Sequence, residues 1–400
     1  MSPERQVPIP TSQRLTDLAP HTLWLTRLGA QLAQLSDKGA DIINLGMGNP
    51  DRPTSPRVVK AGQQAMADPA THSYPRHRGL PAFNQALAEH YDATFGVALD
   101  PTSQIMPTTG SQEALFNLNL GFTNPGDVVL SGDPGYPIHF SGPILAGARS
   151  VYVPLREDSG YAPDFDAVDE NTAAATTLMY LCYPNNPTGA PVPEGVFTEA
   201  VAFARKYDII VVNDFAYGEL GLDGYRPPSF LNTPGAMDVG VELFSMTKAY
   251  NMAGWRLGAV LGRSDVIDRY WEIKTEVDCG TFHAVQAAGA AALAPEGAAD
   301  VEAMRQLYAR RRDLVCDALE AGGVRVERQV ATPYVWSPIP AGYESCEAFA
   351  QHVLTTTHVA ISPGWAFGPT GVNHFRISLM APDDRLALAA ERLARLGDAP

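Results

Sequence analysis

Between residues 100 and 262 the chain alternates short apolar runs with longer amphipathic stretches. The runs end in Gly, Asp, Asn or Pro, and their nearly continuous apolarity is typical of strands buried on both faces. The stretches between them, such as 111–122 and 195–207, have helical periodicity. Strands that alternate with helices predict a mostly parallel sheet with crossover helices. The predicted strands are 127–131, 177–182, 209–213, 241–245 and 257–262.

The pattern changes after residue 291, where a charged amphipathic helix is predicted over 300–321. At the other end of the chain, a polar arm precedes a helix-like stretch at 23–35. We therefore predict an N-terminal arm and small-domain segment at 1–55, a large domain at 56–295 and a C-terminal small α/β domain at 296–400. The last segment is predicted to contain strands at 324–337, 359–362 and 374–379, and helices at 347–355 and 383–396.

Composition narrows the possible partners. Of the 400 residues, 45% are hydrophobic and 18% are charged, as in ordinary folded proteins. The net charge is 29 − 44 = −15, and without a basic cluster this argues against nucleic acid or a membrane surface as a partner. The four cysteines form no C-x-x-C pair, so we expect free thiols and no metal site. We find neither a signal peptide nor a membrane-spanning run, which predicts the cytoplasm.

One lysine follows a predicted strand end. The strand at 241–245 ends on Ser245, Lys248 comes soon after it, and Arg256 lies in a Gly-flanked turn further on. Hydroxyl groups and a guanidinium suit a phosphate dianion, and the lysine could form a Schiff base. A lone lysine is more often a solvated surface charge. Here the flanking apolar runs favour the carboxyl edge of a buried sheet, where open α/β sheets bind ligands.

Three further polar segments follow predicted strands. Asp214 comes directly after the apolar run at 209–212, where a carboxylate is costly unless it meets a cation, although it could also cap a helix. Residues 184–189 predict a rigid turn. Residues 109–113 open a helix whose N-terminal N–H groups could bind an anion, and Ser111 is in any case a good N-cap. All three segments would face the same edge of the sheet.

Seven motifs, in this order, resemble those of the class I and II aminotransferases of fold type I, which use pyridoxal 5′-phosphate. The resemblance covers nearly the whole chain and is greatest to the alanine/glutamate and LL-diaminopimelate aminotransferase branch, through residues 73–80, 124–130 and 359–364. It implies an α/β fold with a mostly parallel sheet in the large domain and a smaller α/β domain built from the N-terminal segment and the C-terminal part. The motifs are Thr-Gly-Ser-Gln (109–112), Asp-Pro-Gly-Tyr-Pro (133–137), Pro-Asn-Asn-Pro-Thr-Gly (184–189), Asp-x-x-Tyr (214–217), Ser-x-x-Lys (245–248), Gly-Trp-Arg-x-Gly (254–258) and Phe-Arg-Ile (375–377).

The resemblance implies a set of residues around the cofactor ring, of which Lys248, Asp214 and Tyr217 are the predicted catalytic residues. Lys248 would bind the cofactor as a Schiff base and move the proton between substrate Cα and cofactor. Asp214 would keep the pyridine nitrogen protonated, which makes the ring an electron sink. Tyr217 and Asn186 would hydrogen-bond the phenolic oxygen, while Tyr136 would stack on the ring.

The resemblance also implies two anion sites. Arg376 would bind the substrate α-carboxylate, helped by Asn186 and the backbone of Gly46. The cofactor phosphate would be bound by a helix N-terminus, hydroxyls and a guanidinium, and by a tyrosine reaching across the interface of a homodimer. We therefore predict a locally positive pocket on an acidic protein. The residues predicted around the phosphate are Gly110, Ser111, Gln112, Ser245, Arg256 and, across the dimer interface, Tyr74.

Four positions depart from the usual pattern of this branch. Cys279 and His283 stand where an aromatic and a small hydroxyl residue are expected. Pro333 stands in place of a methionine, and Trp365 follows a Ser-Pro-Gly segment. If these residues line the side-chain pocket, the substrate differs from the usual ones of the branch. His283 could equally cap the helix that follows it.

These features predict transfer of an amino group between an L-amino acid and a 2-oxo acid by a ping-pong cycle, with glutamate/2-oxoglutarate or alanine/pyruvate as one pair. A C–S lyase or a decarboxylase on the same fold would share Lys248, Asp214 and Arg376, and stays an alternative. An aminotransferase-like ligand-sensing domain is disfavoured, because residues 1–40 are too short and insufficiently basic to provide a DNA-binding module.

Overall fold

The structure is a computed structural model that describes residues 11–75 and 78–398. Its helices and strands in chain order are α1 (Gln13–Asp37), β1 (Ile43–Asn44), α2 (Pro56–Ala67), α3 (Pro81–Phe95), β2 (Ile105–Thr108), α4 (Ser111–Phe122), β3 (Val128–Asp133), α5 (Ile138–Ala146), β4 (Arg149–Pro154), α6 (Glu170–Ala174), β5 (Thr176–Leu181), α7 (Val196–Tyr207), β6 (Ile210–Asp214), α8 (Ala236–Val239), β7 (Gly240–Ser245), β8 (Gly258–Gly262), α9 (Ser264–Val277), α10 (His283–Leu293), α11 (Gly297–Ala321), β9 (Tyr334–Pro338), α12 (Cys346–Thr357), β10 (Val359–Ala360), β11 (Ser362–Pro363), β12 (His374–Ser378) and α13 (Asp383–Leu393).

The central sheet has seven strands in the order β2-β8-β7-β6-β5-β3-β4. All are parallel except β8, which runs antiparallel to both of its neighbours. Successive residues pack into different apolar clusters: Val128 and Leu130 belong to one, together with α3 and α7, and Val129 to the other, together with α4 and α9. Both faces are therefore buried, as continuous apolarity predicted.

Smaller sheets join the two ends of the chain. The short strand β1 pairs in parallel with β10, and the antiparallel strands β11, β12 and β9 form a second small sheet. Arg311 on α11 adds to this junction, since it donates to Asp51 at 2.7 Å and to Asp383 at 2.9 Å. These contacts fix the segment that follows β1 against α11 and the start of α13.

The predicted strand at 324–337 is wrong over most of its length, because only Tyr334–Pro338 is a strand. The backbone before it has other partners. Leu222 N donates to Val330 O at 2.7 Å, and Arg312 Nη1 donates to Gln329 O at 3.0 Å. A loop and a helix side chain thus satisfy the polar groups that a strand ladder would have used.

In the part of the chain that the structure describes, no helix is both long and apolar enough to cross a membrane. The strands β3, β5, β6 and β7 all end at one edge of the central sheet, on Asp133, Leu181, Asp214 and Ser245. The functional candidates collect at this edge.

Candidate active site

A cavity of about 490 Å³ opens at the carboxyl edge of the central sheet. Its walls come from the ends of β6 and β7, the N-terminus of α4, the segment after β1, and strands β9 and β12. The fold thus brings together segments that are far apart in sequence. Eleven predicted site residues line the cavity: Gly46, Ser111, Gln112, Tyr136, Asn186, Asp214, Tyr217, Ser245, Lys248, Arg256 and Arg376.

Lys248 lines the cavity beside the segment that follows β1. Its Nζ donates to the carbonyl oxygen of Gly48 at 2.6 Å. Removal from bulk water lowers the pKa of Lys248, and the positive charges of Arg376 and Arg256 lower it further. A lowered pKa increases the fraction of neutral amine, which is the nucleophilic form.

Asp214 has a partner that sequence reasoning missed. His139 Nε2 lies 3.2 Å from Asp214 Oδ2, and the imidazole stacks on the ring of Tyr180 at 5.2 Å between centroids. Tyr180 is itself fixed by Asn119, whose Nδ2 donates to the tyrosine hydroxyl at 2.8 Å. His139 lies in the first turn of α5, and no strand end or Gly-rich turn in the sequence pointed to its contact with Asp214.

At the other end of the cavity, Arg256 lies against the turn that opens α4. A Cβ on Gly110 would come 2.6 Å from Arg256 Nη2, and the φ of Gly110 is +79°. Only glycine therefore allows this approach without strain or displacement. Arg256 has a left-handed backbone, with φ of 54°. Ser111, Ser245 and the helix N-terminus complete a group of donors suited to a phosphate.

Arg376 is buried beside Asn186. Its Nη1 donates to Asn186 Oδ1 at 2.9 Å, and its Nη2 donates to Gly46 O at 3.0 Å. The Asn186 amide also donates to the Tyr217 hydroxyl at 3.2 Å. Among the residues described, Arg376 Nε has no hydrogen-bond partner, so the guanidinium keeps donor capacity for an anion.

Two predicted residues lie outside the cavity lining. Gly110 lies behind Arg256, as its contact with that guanidinium shows. Tyr74 is 80% exposed and does not reach the cavity of its own chain. The four unusual positions, Cys279, His283, Pro333 and Trp365, do not line it either. His283 is the first residue of α10.

Sequence reasoning missed two aromatic residues in the lining. Tyr334 begins β9. Phe367 lies in a turn, and its carbonyl oxygen accepts a hydrogen bond from Gly135 N at 2.7 Å. Neither follows a strand of the central sheet, so the strand-end signal did not reach them. The sequence shows an unusual Pro333 but predicts no role for Tyr334, the residue that follows it.

The charge of the cavity is locally positive. Three cationic side chains, Lys248, Arg256 and Arg376, line it together with one carboxylate, Asp214. Throughout the described ranges, none of these cations forms an ion pair with a carboxylate of the chain. Two guanidinium groups and a basic amine without a carboxylate partner favour anionic ligands in this cavity.

Comparison with known proteins identifies the class: residues 40–393 match the family model "Aminotransferase class I and II", and the chain belongs to this family. An LL-diaminopimelate aminotransferase of Moorella thermoacetica is 43% identical over 387 residues, or 96% of this chain and 98% of the relative. That of Aquifex aeolicus is 39% identical over 386 residues, covering 96% of this chain and 98% of the relative.

Solved structures agree on the fold. Substrate-bound BacF from Bacillus subtilis aligns with a TM-score of 0.92 at 34% identity, covering 98% of each chain. N-succinyldiaminopimelate aminotransferase from Mycobacterium tuberculosis aligns with a TM-score of 0.87 at 27% identity, covering 97% of this chain and all of the other. The predicted fold type I is thus confirmed. The protein is an aminotransferase that uses pyridoxal phosphate, as predicted.

The residues present fit this cofactor. A phosphate matches the donors around Arg256, where a Cβ on Gly110 would close the space. A protonated ring nitrogen matches the Asp214 carboxylate, and an aldehyde matches the Lys248 amine. The cavity therefore has a residue to match the phosphate, the ring nitrogen and the aldehyde carbon of the cofactor.

Proposed function

We propose that Lys248, Asp214 and Tyr217 are the catalytic residues of this aminotransferase. The observation that carries this proposal is the group of three cations without carboxylate partners around one cavity, with Asp214 as its single carboxylate. Bound pyridoxal phosphate supplies an electron sink for the negative charge that develops at the substrate Cα. The protein's task is to bind, to orient and to move one proton.

The phosphate end is the anchor of the cofactor in this proposal. Ser111, Gln112, Ser245 and Arg256 bind the phosphate, supported by the positive end of α4. Gly110 admits the Arg256 guanidinium. Because no carboxylate within the described ranges pairs with Arg256, its charge is available to the phosphate.

The ring end sets the reactivity. Asp214 binds the ring nitrogen and keeps its proton, and His139 holds the Asp214 carboxylate in position. Tyr217 and Asn186 hydrogen-bond the phenolic oxygen, while Tyr136 covers one face of the ring. The Lys248 amine would accept the proton from the substrate Cα as a general base.

Arg376 binds the substrate α-carboxylate, together with Asn186 and the backbone of Gly46. We propose LL-diaminopimelate as the amino donor, because the eight relatives compared are all named as its aminotransferases at 37–43% identity. The partner pair is glutamate/2-oxoglutarate, with alanine/pyruvate as the alternative pair.

Conversion of the bound cofactor to its amino form tests this proposal. Holoenzyme is mixed with LL-diaminopimelate, glutamate, alanine and the other common L-amino acids in turn, and the loss of the cofactor's visible band is followed. We expect stoichiometric conversion with LL-diaminopimelate and with glutamate. Conversion with glutamate but not with LL-diaminopimelate would overturn the donor alone. Release of ammonia and a 2-oxo acid without conversion would identify the lyase alternative.

The role of Arg376 has its own test. Replacing it by Leu removes binding that is shared by ground and transition states, so KM should rise for every α-carboxylate substrate together. Lysine at this position is the matched control, because it keeps the charge without the bidentate geometry. A loss confined to one substrate would instead assign Arg376 to side-chain recognition.

We further propose that the protein is a cytoplasmic homodimer with shared active sites, divided at 1–55, 56–295 and 296–400. Exposed apolar side chains of Tyr74, Val277 and Phe282 support the interface, and Pro75 packs against the backbone at Gly280, which joins these segments. The central sheet falls within 56–295, which supports the division. Light scattering that finds a monomer would remove Tyr74 from the site.

A further inference from the structure

Tyr334 shares a sheet face with Arg376. In the antiparallel ladder of β9 and β12, Tyr334 lies opposite Ser378, and Arg376 lies opposite Trp336. Residues opposite each other in the ladder point to the same face of the sheet, and so do residues two apart along a strand. Tyr334 and Arg376 are therefore diagonal neighbours on one face. The register of the two strands therefore brings these side chains together.

The ring of Tyr334 lies against the Arg376 guanidinium. Arg376 Cζ is 4.2 Å from the Tyr334 ring centroid and 4.3 Å from that of Phe367. Both are close contacts for a cation on an aromatic face. Because Asn186 and Gly46 accept hydrogen bonds from the guanidinium edge, its orientation is fixed by rings and acceptors together.

The hydroxyl of Tyr334 has a different partner. It lies 3.1 Å from the hydroxyl of Tyr217, which also accepts from Asn186 at 3.2 Å. Tyr217 has one proton, so if it donates that proton to a ligand, the hydrogen bond between the tyrosines must be donated by Tyr334. The segment after β1 confines this hydroxyl, because a Cβ on Gly48 would come 2.4 Å from it.

The surroundings shift the pKa values of the two tyrosines in opposite directions. Burial opposes ionisation of Tyr334, but the nearby charges of Lys248 and Arg376 outweigh it and lower its pKa. Burial raises the pKa of Tyr217. The titratable or charged groups that act on Tyr334 or are affected by it are Tyr136, Cys182, Tyr217, Lys248, Tyr308 and Arg376.

We propose that Tyr334 is a positioning residue with two separable functions: its ring orients Arg376 for the substrate carboxylate, and its hydroxyl directs the Tyr217 proton toward the phenolic oxygen of the cofactor. This proposal rests on the proposed roles of Arg376 and Tyr217. The two functions use different atoms of Tyr334. Substitutions can therefore separate them.

The hydroxyl function is tested with Tyr334→Phe holoenzyme. Loss of one donor to Tyr217 weakens donation to the phenolic oxygen, so the pKa of the bound cofactor's visible absorption band should rise by roughly half a unit to one unit. The ring stays, so the dissociation constant of an unreactive monocarboxylate, 4-methylpentanoate, should stay within about twofold. Both quantities are measured by absorbance titration, without turnover.

The ring function is tested with Phe367→Leu and Tyr334→Leu. Each removes one aromatic face from Arg376 and should weaken 4-methylpentanoate binding by about threefold to thirtyfold. Phe367→Leu keeps the tyrosine hydroxyls and should leave the pKa of the band within about 0.2 units, as a control. If Tyr334→Leu does not fold, Tyr334→Phe and Phe367→Leu still separate the two functions.

The outcomes distinguish this inference from the proposed function. A wild-type holoenzyme whose band does not titrate, or that binds no monocarboxylate, would overturn the roles of Tyr217 or Arg376 themselves. With a normal wild type, an unchanged band in Tyr334→Phe would overturn the hydroxyl function. Unchanged carboxylate binding in both leucine variants would overturn the ring function. Equal shifts of the band in Tyr334→Phe and Phe367→Leu would indicate general disturbance and reject the assignment.

Discussion

A buried lysine, Lys274, lies behind the turn that is proposed to bind the cofactor phosphate, and its removal has a predictable cost. The Lys274 side chain is fully buried, and its Nζ donates to Glu113 at 3.1 Å and to Asp278 at 2.7 Å. The same carboxylates hold the turn before α4. Glu113 accepts a hydrogen bond from Thr109 N at 3.0 Å, and Asp278 accepts one from the Thr109 hydroxyl at 3.0 Å. Replacing Lys274 by Met keeps the volume and removes the charge.

The magnitude follows from the exposure of the partners. Removing one member of a fully buried ion pair costs about 3–5 kcal/mol. Here the carboxylates are 15% and 27% exposed, and each keeps other donors, so water and those donors offset part of the cost. We expect Lys274→Met to lose about 2–3 kcal/mol of unfolding free energy. The turn at 109–111 should also bind the cofactor phosphate less well.

Urea unfolding of the cofactor-free protein measures the first effect, and titration with pyridoxal phosphate measures the second. Lys60→Met is the matched control, because Lys60 is exposed on α2, and it should change the unfolding free energy by less than about 0.5 kcal/mol. A loss in Lys274→Met no greater than in this control would refute the reasoning. Weaker affinity for pyridoxal phosphate with unchanged affinity for pyridoxal, which lacks the phosphate, would assign the second effect to the turn.

Three further predictions concern single residues. Lys248→Ala should lose the visible band and activity while keeping its circular dichroism spectrum; a normal band with wild-type turnover would reject the lysine assignment. His139→Phe keeps the stacking on Tyr180 but not the bond to Asp214, and should lower kcat about threefold to tenfold, measured at saturating substrates; an unchanged kcat would count against it. Burial raises the pKa of Glu242 to about 7, so the folded state binds its proton more tightly than the unfolded state, and stability is lost as pH rises from about 4.5 to 7. Glu242→Gln should remove about 3 kcal/mol of this pH dependence in urea titrations, and parallel curves would contradict it.

Much of the central sheet could be predicted because its strands are buried on both faces. Helix α4 begins and ends where the periodicity predicted, and strands such as β6 are displaced by a single residue. Pairing of the two-residue strands β1 and β10 was beyond prediction, since so short a segment carries no periodicity. The error at 324–333 has a similar cause: an apolar pattern does not say whether a strand partner is present.

Some residues of the site could also be predicted from the sequence, and others could not. Lys248, Asp214 and Arg256 follow strand ends or a Gly-rich turn, so the sequence around each of them carries a signal. His139 and Tyr334 act through other side chains, and their positions depend on how α5 and β9 pack against the rest of the molecule. Such contacts are tertiary, and a single sequence does not encode them in local spacing.

The reversed strand β8 has a consequence for how this enzyme can change. A Cβ on Gly258, at the start of β8, would come 2.6 Å from Phe244 O and 3.0 Å from Ser111 N, so glycine lets this strand return close beside β7. Lys248 and Arg256, the residues proposed to bind the aldehyde and the phosphate of the cofactor, therefore lie on one short loop between adjacent strands. Arg376 instead belongs to a separate sheet. Evolution can accordingly reshape substrate recognition through that sheet while the cofactor apparatus is inherited as an intact unit.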